Sequence, residues 1–149
     1  MFVERTQAEL VSALEVADCF SSRLRGLQFR RSFSPGSGLL LVPCASVHTF
    51  CMRFLIDVMM LDRSGRVLKL QRSVRPWRAV TGRRGAHAVL EVPAEAAVDV
   101  EEGDMLRLMG AHKPQASVQF LMPITRPVIG VESGGLTTAT SHYTQNELP

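Results

Sequence analysis

Hydrophobic residues are distributed unevenly along this chain, and their spacing predicts a mainly β protein. Gly38-Leu-Leu-Leu-Val42 is a continuous apolar run of strand length bounded by glycine and proline, as expected for a strand buried on both faces. Val47–Phe54 and Ile56–Leu61 read as two further strands. Asp62-Arg-Ser-Gly65 reads as a hairpin loop, with glycine at a position that needs positive φ, and the chain returns over Arg66–Leu70. His87–Val92 and Met105–Met109 complete the set, the latter entered through the tight turn Glu102-Gly-Asp104.

Helical signals are few. Gln7–Val16 fits a helix or a strand, and strand is preferred because β-branched Val11 and Val16 precede a separate helix. That helix is expected over Ser21–Arg30, with apolar Phe20, Leu24 and Leu27 on one side, ended near Ser34-Pro-Gly-Ser-Gly38. Pro93–Val98 offers one helical turn. The expected fold is therefore a compact barrel-like or sandwich domain of short strands over residues 1–110, with one or two short helices. Beyond Gly110 the pattern dissolves, so residues 111–149 are expected to form a flexible or loosely packed tail, with one weakly anchored segment at Val118–Met122.

Composition changes this picture little. At 149 residues and 46% hydrophobic the chain suits one soluble domain, and no apolar run approaches the ~20 residues of a membrane helix. The start reads as lacking an export signal, which predicts a cytoplasmic protein, and three cysteines in such a chain argue against a disulfide framework. The net charge is +3, yet basic residues crowd Arg63–Arg84 and acidic ones follow over Glu91–Asp104. The basic run reads as a solvated face or as the docking surface of a structural adaptor. Only Trp77 interleaves with it, which disfavours nucleic acid.

The chemistry concentrates between Pro43 and Asp62, where a histidine, an arginine, an aspartate and two cysteines interrupt an apolar run. Buried polar groups cost several kcal/mol unless paired, so each needs a partner or a purpose. Cys44, His48 and Cys51 contain suitable atoms for a metal, but on a strand His48 and Cys51 face opposite ways and a fourth ligand is missing. A nucleophilic Cys44 activated by His48 lacks an orienting third group. Arg53 and Asp57 match in strand parity, which predicts an internal ion pair or an anchor for an anionic ligand. Trp77 is expected to pack over the barrel mouth.

These residues stand in a recognisable order. Arg23-x-Arg25-Gly26-Leu27, Gly38-Leu-Leu-Leu, Pro43-Cys44, Val47-His48-Thr49-x-x-Met52-Arg53, Ile56-Asp57-Val58, Leu61-Asp62 and Gly65 together resemble the family called domain of unknown function 192. The resemblance continues through Pro76-Trp77, Val89-Leu90-Glu91 and Gly103-Asp104, covering roughly residues 14 to 109. It implies a small, mainly β barrel-type domain with a short helix, and no established reaction, substrate or cofactor. Its motif residues are here Arg25, Gly26, Cys44, His48, Met52, Arg53, Asp57 and Glu91. Where the family usually has glycine after the Leu-Glu-x-Pro-Ala segment, this chain has Glu95.

The leading expectation is a binding module for a small anionic ligand or peptide, with a pocket lined by Arg25, His48, Met52, Arg53 and Asp57. The alternatives are a metal- or thiol-dependent enzyme centred on Cys44, His48 and Cys51, and the structural adaptor.

Overall fold

A computed structural model describes residues 1–108 and 116–122. Its centre is a five-stranded sheet formed by Ala13–Ala17 (β2), Ser37–Leu41 (β3), Ile56–Leu61 (β5), Val67–Val74 (β6) and Ala88–Pro93 (β8), in the order β2-β3-β8-β5-β6. Two small ribbons flank it. Phe2–Val3 (β1) pairs with Leu106–Arg107 (β9), and Ser46–His48 (β4) pairs with Ala79–Thr81 (β7). Among the described residues the strands fall into these three sheets and do not close into a barrel. The protein is mainly β, as expected, but the sheet is open and layered on both sides.

Double burial explains the apolar runs. Every residue of β5 is buried, and so are Leu39–Val42 and Ala88–Val92. Alternate side chains feed two cores. One face carries Leu40, Met59, Leu61 and Leu90 against the N-terminal residues, Val100, Leu106 and Leu121. The other carries Leu39, Leu41, Val58, Met60 and Val89 against Leu27, Met52, Val74 and Val80. Each fully buried aliphatic side chain contributes roughly 1.5–3 kcal/mol, so this sheet anchors the fold. Val118 and Leu121, in a 3-10 turn over Ala116–Leu121, pack into the first core, so this segment is better anchored than its sequence suggests. The rest of the expected tail over 111–149 lies outside the described residues.

β2 and β3 run parallel, so the chain must cross over between them, and the short helix Phe20–Arg25 (α1) lies in that crossover. α1 is shorter than expected. Gly26 ends it at φ 46° and ψ −129°, a conformation open to glycine and costly for other residues. The crossover packs α1 against β2, on a side of the sheet it shares with residues of β4 and β8.

Other elements depart from expectation for local reasons. The strand expected over Val47–Phe54 stops at His48, because buried Thr49 turns the chain. Its hydroxyl donates to the Arg75 carbonyl at 2.7 Å and accepts from the Arg78 N–H at 2.9 Å. Cys51 then takes φ 62°, so strand parity does not carry past this point. The expected turn of helix after Pro93 is instead irregular, with Glu95 at φ 69°. Trp77 covers no barrel mouth; it is exposed, with its ring 5.7 Å from that of Phe50.

The basic run is largely committed within the molecule. Arg72 Nη2 donates to the carbonyls of Ala97 and Val100, Lys69 Nζ to Thr81, and Arg66 Nη1 to Gly103, while Arg83 pairs with Glu102 at 3.2 Å. The Lys69 contact ties β6 to β7, and the others tie β6 and the loop after β7 to the acidic segment that follows β8.

One stability effect follows from the backbone at Glu95. Glu95 occupies a left-handed position that costs a non-glycine residue roughly 1–2 kcal/mol. Glu95→Gly should therefore raise stability by about 0.5–1 kcal/mol, the gain being reduced by the extra freedom glycine has when unfolded. Calorimetry should register this as an increase in Tm of a few degrees.

Candidate functional site

Asp57 lies on β5 opposite a bulge, where Ile56 pairs with Val74 but Val58 pairs with Gln71. Its carboxylate accepts the Ser73 N–H at 2.8 Å and the Ala97 N–H at 3.2 Å, satisfying donors that the bulge and the following loop leave without strand partners. Asp57 is fully buried, whereas Arg53 is exposed, and the expected Arg53–Asp57 ion pair is absent from the ion pairs among the described residues. The turn at Thr49–Met52 separates the two residues by breaking the strand whose parity matched them. Asp57 therefore serves the architecture.

The five residues expected to share a pocket are thus divided. Arg25 and His48 line one cleft of about 200 Å³. Met52 is 4% exposed in the second core and, with Arg53, borders a separate hollow completed by Phe29, Cys51 and Trp77. Phe29, Cys51 and Trp77 all have φ 62°. Cys51 is therefore apart from Cys44 and His48. Among the described residues no three His, Cys, Asp or Glu side chains converge as a metal site would require.

The cleft lies between α1 with its following turn and the start of β4, with β8 contributing from the sheet. Phe20, Leu24, Leu27, Leu41 and Val47 supply its apolar walls; Arg23, Arg25, Cys44, His48 and Glu91 supply its chemistry. Arg23 Nη1 is engaged by the carbonyls of Asp18 at 2.6 Å and Val42 at 3.3 Å, which pins the loop before α1 to the end of β3. Arg25 makes no ion pair or side-chain hydrogen bond with the described residues. The His48 ring is exposed and stacks on Phe50 at 4.8 Å and 15°. The Cys44 thiol donates to the Ser46 carbonyl at 3.1 Å, and burial pushes its pKa up, so it is held as a thiol. That state opposes a nucleophilic role.

Glu91 is the unusual member. It sits in the middle of β8, paired in register with Leu39 on one side and Val58 on the other, and is 3% exposed. Its Oε2 is buried without a hydrogen-bond partner among the described residues. Burial pushes the carboxyl up from its ordinary 4.5 to about 8, against the pull of Arg30. Arg30 is itself held by Glu15 through two hydrogen bonds of 2.8 and 2.7 Å. Glu91 is thus mostly a neutral acid at pH 7, able to donate or accept one hydrogen bond and to exchange a proton near neutrality. The resemblance places Glu91 in the motif, but the pocket expected from sequence omits it. The available signal was the same as for Asp57: one acid inside an otherwise apolar strand.

Two measurements separate these acids. Asp57→Ala orphans two backbone donors and should cost about 2–4 kcal/mol, seen as a lower urea midpoint at unchanged m. Glu91→Leu removes an orphaned polar group and should stabilise the protein by about 1–3 kcal/mol at pH 7. Because the folded carboxyl has the higher pKa, the folded state binds more protons between pH 4.5 and about 8. The Glu91 contribution is therefore fully present below pH 4.5 and is lost as pH rises through about 8, by an amount on the order of a few kcal/mol. Urea titrations across this range should show that decline in the wild type and a flatter profile in Glu91→Leu.

Comparison with known proteins gives the family and the fold but assigns no role to the cleft. Residues 2–108 match the family of domain of unknown function 192, described as an uncharacterised ACR. A UPF0127 protein of Thermococcus gammatolerans is 34% identical over 112 residues, covering 70% of this chain and 72% of that one. One from Thermococcus sibiricus is 32% identical over 99 residues, covering 62% and 63%. Two crystal structures share the fold at TM-score 0.58. One is a Sinorhizobium meliloti protein provisionally described as a transcription regulator, 22% identical, with 62% of this chain and 78% of that chain covered. The other is a Novosphingobium aromaticivorans protein of unknown function, 20% identical, with 62% and 71% covered. With its match running from the first strand to the last, the chain belongs to the uncharacterised family of domain of unknown function 192.

Proposed function

We propose that this protein is a binding module for a small anionic ligand or a short peptide, and that its site is the cleft between α1 and β4. The observation that carries the reading is the Glu91 carboxyl, buried at the sheet side of that cleft and without a partner for Oε2 among the described residues. A fold does not retain an orphaned buried acid for stability, since an apolar residue would serve better. Arg25 supplies the charge that selects an anion, and His48 supplies a second polar edge. The apolar walls match the general pattern of ligand sites, a largely hydrophobic concavity with a few convergent polar groups.

This reading revises the expected pocket. Arg25 and His48 remain in it, Met52, Arg53 and Asp57 leave it, and Cys44 and Glu91 join it. The proposed location is the cytoplasm, a reading supported by the free thiols at Cys19, Cys44 and Cys51.

Isothermal titration of anionic metabolites and short acidic peptides tests the assignment with two variants. Arg25→Ala should weaken binding by about tenfold or more, equivalent to about 1.4 kcal/mol, while Arg53→Ala leaves it unchanged. Equal losses in both variants, or a loss in Arg53→Ala alone, would move the site to the other hollow and remove this reading.

A further inference from the structure

We infer that the cleft recognises a monocarboxylate with a short apolar tail, its carboxylate seated against the unpartnered Glu91 carboxyl and facing the Arg25 guanidinium. The inference rests on the cleft being the ligand site and adds the chemical class of the ligand.

The argument starts from what each polar group in the cleft has left to offer. Arg23 Nη1 is spent on two backbone carbonyls, and the Cys44 thiol on the Ser46 carbonyl. Arg30, which lies outside the cleft lining but pulls on Glu91, is spent on Glu15. Besides the exposed His48 edge at the rim, Arg25 and Glu91 carry no hydrogen bond or ion pair among the described residues, one a cation and one a buried acid with an unused oxygen. A neutral carboxyl can donate its O–H to a carboxylate, a short charge-assisted bond, and the cation compensates the ligand's charge. A cationic ligand would instead bring a third positive charge beside Arg23 and Arg25. A neutral ligand would leave Arg25 unused.

Size and lining set the rest of the molecule. A cleft of about 200 Å³ accommodates a short apolar tail, and Leu24, Leu27, Leu41 and Val47 provide an apolar surface for a few methylene groups. A free short-chain acid and the last residue of a peptide share this chemistry.

Binding must then depend on pH in a direction that identifies the ligand. As the Glu91 carboxyl ionises near pH 8 it turns from donor to repelling anion, so a carboxylate should be released while an amine would be attracted. The other charged and titratable groups around it are Arg23, Arg25, Arg30, Glu15, Cys44 and His48. A His48→Gln variant removes the imidazole from the cleft and so isolates the contribution of Glu91.

The test uses amide NMR of the full chain with butyrate, n-butylamine and n-butanol as probes, at about pH 6.5 and about pH 9, with circular dichroism confirming the fold at each. Butyrate should shift the amides of Gly26, Leu27, Ser46 and Val47, with an affinity about tenfold or more lower at the higher pH, in the wild type and in His48→Gln alike. Glu91→Gln should keep binding through its amide N–H and lose the pH dependence, and Glu91→Leu should lose binding at about pH 6.5, a comparison that stands even if the wild type unfolds at the higher pH. Butanol binding as tightly as butyrate, or butylamine binding that strengthens with pH, would overturn the inference while leaving the cleft as a ligand site. If none of the probes moves these amides, the cleft reading falls together with the inference.

Discussion

The fold depends on burying both faces of its central strands. β8 lies between β3 and β5, and all three are sealed above and below by separate cores, so water reaches almost none of their side chains. In such a setting a polar side chain must be satisfied by the fold, be neutralised, or wait for a ligand. The two acids of these strands take different courses. Asp57 closes a bulge and a loop by accepting two backbone N–H groups, whereas Glu91 stays protonated and has an oxygen to spare.

That contrast organises the functional reading. A carboxylate that finishes the backbone hydrogen bonding is part of the scaffold, however prominent it is in the sequence. A carboxyl that leaves a bond unmade in the same low-dielectric layer lowers stability, and it lies where α1, crossing between the two parallel strands, forms the outer wall of a cleft. The guanidiniums sort in the same way. Arg23, Arg30 and Arg72 hold loops and neighbouring elements in place, while Arg25 reaches the cleft without such duties among the described residues.

Much of the scaffold was legible. The run Gly38–Val42 reads as a fully buried strand, and the strand over Ser37–Leu41 is buried from Gly38 onward; Ile56–Leu61 reads as a strand and is one, and the Asp62–Gly65 hairpin reads from its glycine, which has φ 84°. The departure at Glu95 also reads from sequence, and the structure supplies its meaning, since the backbone there is left-handed. The candidate site was legible only in part. Strand parity joined Arg53 to Asp57, but parity holds only while the strand continues, and Thr49 ends it through bonds to carbonyls of a segment beyond β6. Nothing local to Thr49 announces partners that distant.

The continuous apolar runs and the placing of glycines determined by themselves that this is a mainly β protein with a strand buried on both faces. These follow from forces between near neighbours in the chain, namely backbone sterics and the removal of apolar surface from water. Tertiary structure alone decided that the strands stay open, that Arg53 turns to solvent, and that Glu91 meets Arg25 and His48 across a cleft. Those outcomes depend on which strand inserts beside which. That choice is made by the packing of segments far apart in the chain, and no local pattern encodes it.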